Sequence, residues 1–236
     1  MKQWFPFTDY DFYAYLTAGL FLLLGLDLAL TGGTLMLRPN WPVVQVVMLV
    51  AAAYVLGQLV AGPSSNLLEH LVARRLFRSP ASLLLGLANP RFRERLFSAI
   101  FIGRNYGPLP NAMCKRILDA AAKTLGVPAI TDAEQVFQVA FPAARSVADS
   151  AARMDQFRNL YGFCRNVSFV SIVVAIFLVL RTRLAPLPYS DWEAGAALVV
   201  GVGMFGRFLK FYADFAAEVL RTYHCILPKD EPGEKL

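Results

Sequence analysis

Residues 168–180 read SFVSIVVAIFLVL, thirteen positions without a charge. Extended back to Gly162, this run approaches the roughly 20 residues that a helix needs to cross about 30 Å of hydrocarbon. Three further blocks of the same kind lie at 12–30, 43–61 and 194–211, and the second of them is also free of charge. A large soluble helical core would leave a polar stripe on each helix facing water, and these blocks carry too few charged residues for that. The whole chain agrees with the blocks: 56% of its 236 residues are hydrophobic, 17% are charged, and the mean hydropathy is +0.46. Soluble domains carry about 25% charged residues. The expected fold is therefore all-α, a polytopic membrane protein with four transmembrane helices and a helical cytoplasmic module. The expected segments are spans one and two in 1–62, a basic module in 63–161, spans three and four in 162–211, and a tail helix with a disordered end in 212–236.

The basic residues orient the spans. The short connection 31–41 holds only Arg38, and 181–191 holds Arg181 and Arg183, whereas 62–161 holds thirteen lysines and arginines against seven acids. Arg74, Arg75 and Arg78 follow span two, Arg158 and Arg165 flank the start of span three, and Arg207 and Lys210 close span four. By the positive-inside rule, both termini and the long connection face the cytoplasm. The block at 12–30 is expected to persist as a span: Asp9 and Asp11 precede it instead of a basic cluster, and no small-x-small cleavage site follows. Trp4, Phe5, Phe7, Tyr10, Phe12, Tyr13 and Tyr15 form an aromatic belt at its entrance, and Trp41 and Trp192 mark the opposite interface.

Within the long connection, Asn66 with Glu69 three residues on resembles a helix start, followed by an amphipathic pattern through Leu76. Pro80, Pro90, Gly103, Gly107, Pro108 and Pro110 allow only short helices over 78–110. A clear helix is expected over 111–125, ended by Gly126. Thr131 or Asp132 then caps a long helical pattern that continues into span three, with a kink at Pro142. Residues 207–226 read as an extension of span four. The basic surface, including Arg74, Arg75, Arg78, Arg91, Arg93 and Arg95, suits anionic membrane lipids or a protein partner. Direct nucleic-acid binding is the less favoured use of that charge.

The chemistry-bearing motifs are missing. The chain has two histidines, His70 and His224, and three cysteines, Cys114, Cys164 and Cys225, with no CxxC pair. HExxH, Walker A and GxSxG patterns are also absent. The expectation is therefore no catalytic residue, no metal and no cofactor. The polar residues of the spans are the candidates instead. Asp27 is an acid inside span one, where ionisable groups are costly; it lines or gates a path, or it reaches interfacial water at the outer end of the span. Tyr54, Gln58, Ala61, Ser65 and Glu69 recur at three- and four-residue steps and form a polar stripe on span two. Such a stripe glues helices together or lines an aqueous vestibule. Ala197, Gly201 and Gly203 in span four offer close helix packing.

The stretches DYDFYAYLTAGLFLLL (9–24) and YVLGQLVAGPSSNLLE (54–69) resemble a set of small bacterial membrane proteins. Those share an aromatic Tyr-Leu-x-Pro-Gly entry, then Gly-His and Ser-Ser-x-x-x-Glu at the second span. Here Ala18 stands for the proline and Gln58 for the histidine. Several members resemble membrane components of anti-phage defence, including the four-span subunit of Kiwa-type systems. The resemblance implies a homo-oligomer of the bacterial inner membrane that works with a cytoplasmic protein partner as a non-enzymatic sensor or signalling component. An ion channel or pore-forming effector, and a membrane-embedded lipid-modifying enzyme, stay open beside it.

Overall fold

The computed structural model describes residues 11–36, 38–68, 70, 77–97, 99–100, 107–184 and 190–228. Among them there are eight α-helices and no strand. In chain order they are α1 (Thr17–Thr31), α2 (Val43–Ser64), α3 (Pro80–Leu84), α4 (Phe92–Phe97), α5 (Asn111–Leu125), α6 (Ala133–Arg145), α7 (Ala148–Leu184) and α8 (Ser190–Ile226). A wider, π-type turn at Asp11–Leu16 leads into α1. Four stretches are long and apolar enough to cross a bilayer: Ala14–Thr31, Val43–Leu68, Ala148–Leu184 and Asp191–Ile226. Their apolar content matches the four blocks read from the sequence, and the chain is compatible with a multi-pass membrane protein. The aromatic belt before Asp11 and the tail beyond Pro228 lie outside the described residues. The chain divides into two compact units, Met1–Leu76 with Asn159–Lys210 and Phe77–Arg158 with Phe211–Leu236.

In the first unit α1 and α2 run antiparallel in backbone contact. A Cβ placed on Gly19 would overlap the Ala53 carbonyl, and one on Gly57 would overlap the Tyr15 carbonyl. Glycine is required there because only hydrogen lets two helix backbones approach so closely. Gly25 accepts the side chain of Val174 in the same way. Ala18, Ala29, Val170, Val174, Leu178 and Ala194 form the buried core, and Ala197 packs against it. Most of the remaining α2 surface is apolar and exposed, with Val43, Val44, Val47, Met48 and Leu59 facing outward.

The second unit is a helical assembly with its own apolar core. α5 buries Cys114, Ile117 and Ala121, and α6 buries Ala133, Val136, Ala140 and Ala144, each set at helical spacing. Leu84, Leu85, Met154, Val219, Leu220 and Tyr223 complete the core. Gly126 ends α5 in the left-handed conformation with φ of 66°, as the sequence requires of a glycine at that place. Asp132 caps α6 by accepting the Glu134 N–H at 3.0 Å.

Two expected boundaries differ. Asn66 does not start a new helix: α2 passes through Pro63 to Ser64, and π-type turns continue over 65–68. A wider register is one way for a helix to absorb a missing donor, and free backbone groups beside hydrocarbon cost too much to leave open. The second difference lies before span three. α6 and α7 are separate helices, broken at Ser146–Val147 and not merely kinked at Pro142. Ser146 donates its N–H to the Pro142 and Ala143 carbonyls and its hydroxyl to the Ala143 carbonyl at 2.7 Å, which closes α6.

Candidate functional site

Four groups of polar residues stand out, three in the first unit and one in the second. The first surrounds Asn166, fully buried on α7. Ser64 Oγ donates to Asn166 Oδ1 at 2.6 Å, and Asn166 Nδ2 donates to the Ala14 carbonyl at 3.3 Å. The Arg165 guanidinium, itself buried, donates to the same Oδ1 at 3.3 Å. One side chain thereby ties α2, the turn before α1, and α7. Two residues on, Ser168 Oγ donates to the Gly201 carbonyl at 2.7 Å and adds α8. A Cβ on Gly201 would press on Ile172, so this candidate packing residue is in place, whereas one on Gly203 meets nothing within 4 Å.

The second group is Tyr54 with Gln58. Gln58 Nε2 donates to the Tyr54 hydroxyl at 3.0 Å, and the Tyr54 ring meets Tyr15 edge to face at 6.4 Å. Gln58 is exposed and Tyr54 half-buried. Ser65 is half-buried further along, and its carbonyl lies 3.3 Å from His70 Nδ1. Glu69, the last member of the expected stripe, lies outside the described residues, as do Arg74 and Arg75. The serine that α2 turns inward is Ser64.

Asp27 does not join this stripe. Tyr15 lies beside Gly57, and Asp27 is twelve residues further along α1, or about 18 Å at 1.5 Å per residue. Its carboxylate instead folds the loop that follows. Oδ2 accepts the Met36 N–H at 2.7 Å, while Oδ1 accepts the Leu35 N–H at 3.3 Å and the Thr31 hydroxyl. Gly32 and Gly33, with φ of 72° and 86°, let the chain turn back toward the acid. Beside it is a cavity of about 260 Å³ walled by Leu23, Leu26, Leu30 and Leu49, with Trp41 and Arg38 also lining it. The Arg38 guanidinium sits 5.4 Å from the Trp41 ring centroid.

In the second unit a buried acid holds the backbone of two of the candidate arginines. Glu94 is buried and accepts the Arg78 N–H at 2.5 Å and the Arg91 N–H. The backbones of Arg78 and Arg91, thirteen residues apart, are thus held on one carboxylate. The side chain of Arg93 lies outside the described residues. A separate open groove of about 910 Å³ lies between α5 and the end of α8, lined by Lys115, Lys123, Asp119, His224 and Met113. Arg116 donates there to the Leu227 and Pro228 carbonyls that close α8. Cys114 is buried nearby with its Sγ 3.3 Å from the Leu84 carbonyl, and burial raises its thiol pKa above the usual range.

Family models, curated proteins and solved structures were all compared with this chain, and none matches. Among the described residues no group of three or more His, Cys, Asp or Glu side chains is placed to hold a metal ion. Sequence reasoning missed Ser64, Asn166 and Glu94. A signal was present for Asn166, since it and Ser168 are polar positions leading into an otherwise apolar run. For Glu94 there was none: its neighbours are arginines, and local pattern places it on the surface.

Proposed function

We propose that the chain is a homo-oligomeric, multi-pass protein of the bacterial inner membrane that senses or signals at the bilayer. It does so without enzymatic chemistry and recruits a cytoplasmic protein through its soluble unit. The observation that carries this reading is the Tyr54–Gln58 pair, which a single chain leaves at the surface of a membrane-spanning helix. A polar group facing lipid is costly, and a second copy presenting the same face supplies an amide and a phenol as partners. α7 and α8 have 37 residues each, about 55 Å of helix against about 30 Å of hydrocarbon. Each contributes to both cores, so a change in span packing has a continuous helix along which to act. The distribution of lysine and arginine supports cytoplasmic termini. The resemblance of 9–24 and 54–69 to defence-associated membrane subunits supports a place in anti-phage defence.

The same exposed pair favours a second reading, in which Tyr54 and Gln58 line a conduit between copies and the protein is a pore-forming effector. Native mass spectrometry in nanodiscs tests the shared premise. A closed oligomer that Gln58→Leu weakens is the expected outcome, and a monomer at every protein concentration overturns both readings. Ion flux from proteoliposomes then separates them, because a sensor leaves a salt gradient intact and a pore collapses it.

A further inference from the structure

α4 has its polarity reversed. Its acid, Glu94, is 1% exposed and turned inward onto the backbone N–H groups of Arg78 and Arg91. Two of its apolar residues face out, Phe92 at 79% exposed and Leu96 at 49%, and Ile100 beyond the helix is 63% exposed. Phe92 and Leu96, four residues apart, lie along one line of α4. Arg91 and Arg95, also four apart, are exposed beside that line. Outside the membrane-spanning stretches, a surface helix normally does the opposite, burying its apolar line and exposing its acid. An apolar line flanked by arginines is instead the pattern of a helix lying in a membrane interface.

We propose that the α4 segment docks on an anionic lipid surface, with Phe92, Leu96 and Ile100 entering the acyl boundary and Arg91 and Arg95 meeting lipid phosphates. Charge complementarity selects this occupant. A second copy meeting the same patch across a two-fold axis would bring arginine against arginine. A bilayer is the surface to expect, because α2 before this segment and α7 after it are each long and apolar enough to cross one. Glu94 then has a second role: by holding the backbone N–H groups of Arg78 and Arg91, it fixes which side of the segment faces inward and so turns the apolar line out. The inference rests on the chain spanning a bilayer and is independent of the proposed oligomer and protein partner.

The test uses the full chain in nanodiscs, with Cys225→Ser removing the one exposed native thiol. An environment-sensitive fluorophore is placed at Ala99→Cys, three residues past Leu96 and exposed. A second sample carries it at Val47→Cys on the exposed face of α2. In phosphatidylcholine–phosphatidylglycerol discs the Ala99→Cys probe shifts to the blue. It loses roughly half its emission to lipids carrying a shallow nitroxide, as expected for insertion of about 5–10 Å. Removing the anionic lipid, adding salt, or introducing Arg91→Gln with Arg95→Gln reduces that quenching. A probe that stays water-exposed overturns the docking, and so does one that shifts to the blue without nitroxide quenching, which assigns the patch to a protein partner. Quenching of the Val47→Cys probe by a deep nitroxide in every sample confirms insertion of the spans, so failure at Ala99→Cys counts against α4 docking alone. Continued protection of Cys114 from alkylation confirms that the arginine variants are folded.

Discussion

Gly57→Ala adds one carbon where α2 passes the backbone of Tyr15. The new Cβ would overlap the Tyr15 carbonyl, which belongs to a helix backbone and has no rotamer to escape into. Adding a carbon to a well-packed core costs about 1–3 kcal/mol, and the upper end applies where two helices must separate. Alanine recovers about 1 kcal/mol over glycine in a helix interior. The balance is a loss of about 2 kcal/mol. In a chain of this size each kcal/mol moves Tm by roughly 2–4 °C, so Gly57→Ala is expected to melt about 4–8 °C below the parent. Gly203→Ala makes the same chemical change where no atom lies within 4 Å of the new Cβ. It keeps the propensity gain and is expected to melt at the parent temperature or up to about 4 °C above it. The assay follows a thiol-reactive fluorogenic dye in mild detergent on a Cys225→Ser background, where signal reports exposure of the buried Cys114 and Cys164. Gly57→Ala melting at or above the parent would refute the backbone contact. A lower Tm for Gly203→Ala would show instead that another copy covers that position.

Three further outcomes follow from the polar groups. Asn166→Leu removes the acceptor of Ser64 and Arg165 and the donor to the Ala14 carbonyl, leaving Ser64 only its bond to the Ala61 carbonyl at 3.0 Å, and is expected to cost about 2–3 kcal/mol, while Ser64→Ala added to it costs little more; additive losses in a double-mutant cycle would remove the Ser64–Asn166 bond from the account. Asp27→Ala frees the N–H groups of Leu35 and Met36, and hydrogen exchange should rise across residues 32–36 with little change elsewhere; unchanged exchange there would show that the carboxylate does not hold the loop. Cys114 has its pKa raised by burial, so near neutral pH it stays a protonated thiol, and raising the pH toward the ordinary thiol range should not make it react with N-ethylmaleimide in the folded protein. Adduct masses after proteolysis should show Cys225 modified and Cys114 modified only after denaturation, and early modification of Cys114 would contradict its burial.

The helices were legible because their signals are local. The start of α2 at Val43, the end of α5 at Gly126 and the cap at Asp132 each follow from a few neighbouring residues. The misread boundaries, at Pro63 and Ser146, turn on competition among helix continuation, side-chain bonds and the cost of exposed backbone, which no short window contains. The candidate site was legible only in part. The stripe on α2 brought Tyr54 and Gln58 together as its spacing required, but period alone cannot say whether a helix face meets lipid or protein.

Composition and periodicity by themselves determined an all-α chain with four stretches able to span a bilayer, because transfer into hydrocarbon is close to a sum over residues in one segment. Only the tertiary structure decided that Gly19 and Gly57 meet a backbone while Gly203 meets nothing, that Ser64 and not Ser65 is buried, and that Glu94 faces inward while Phe92 faces out. Each of those depends on which remote atoms arrive at the position, such as Asn166 for Ser64, 102 residues away. Steric exclusion and hydrogen bonding act over a few ångströms of space, whatever the distance along the chain.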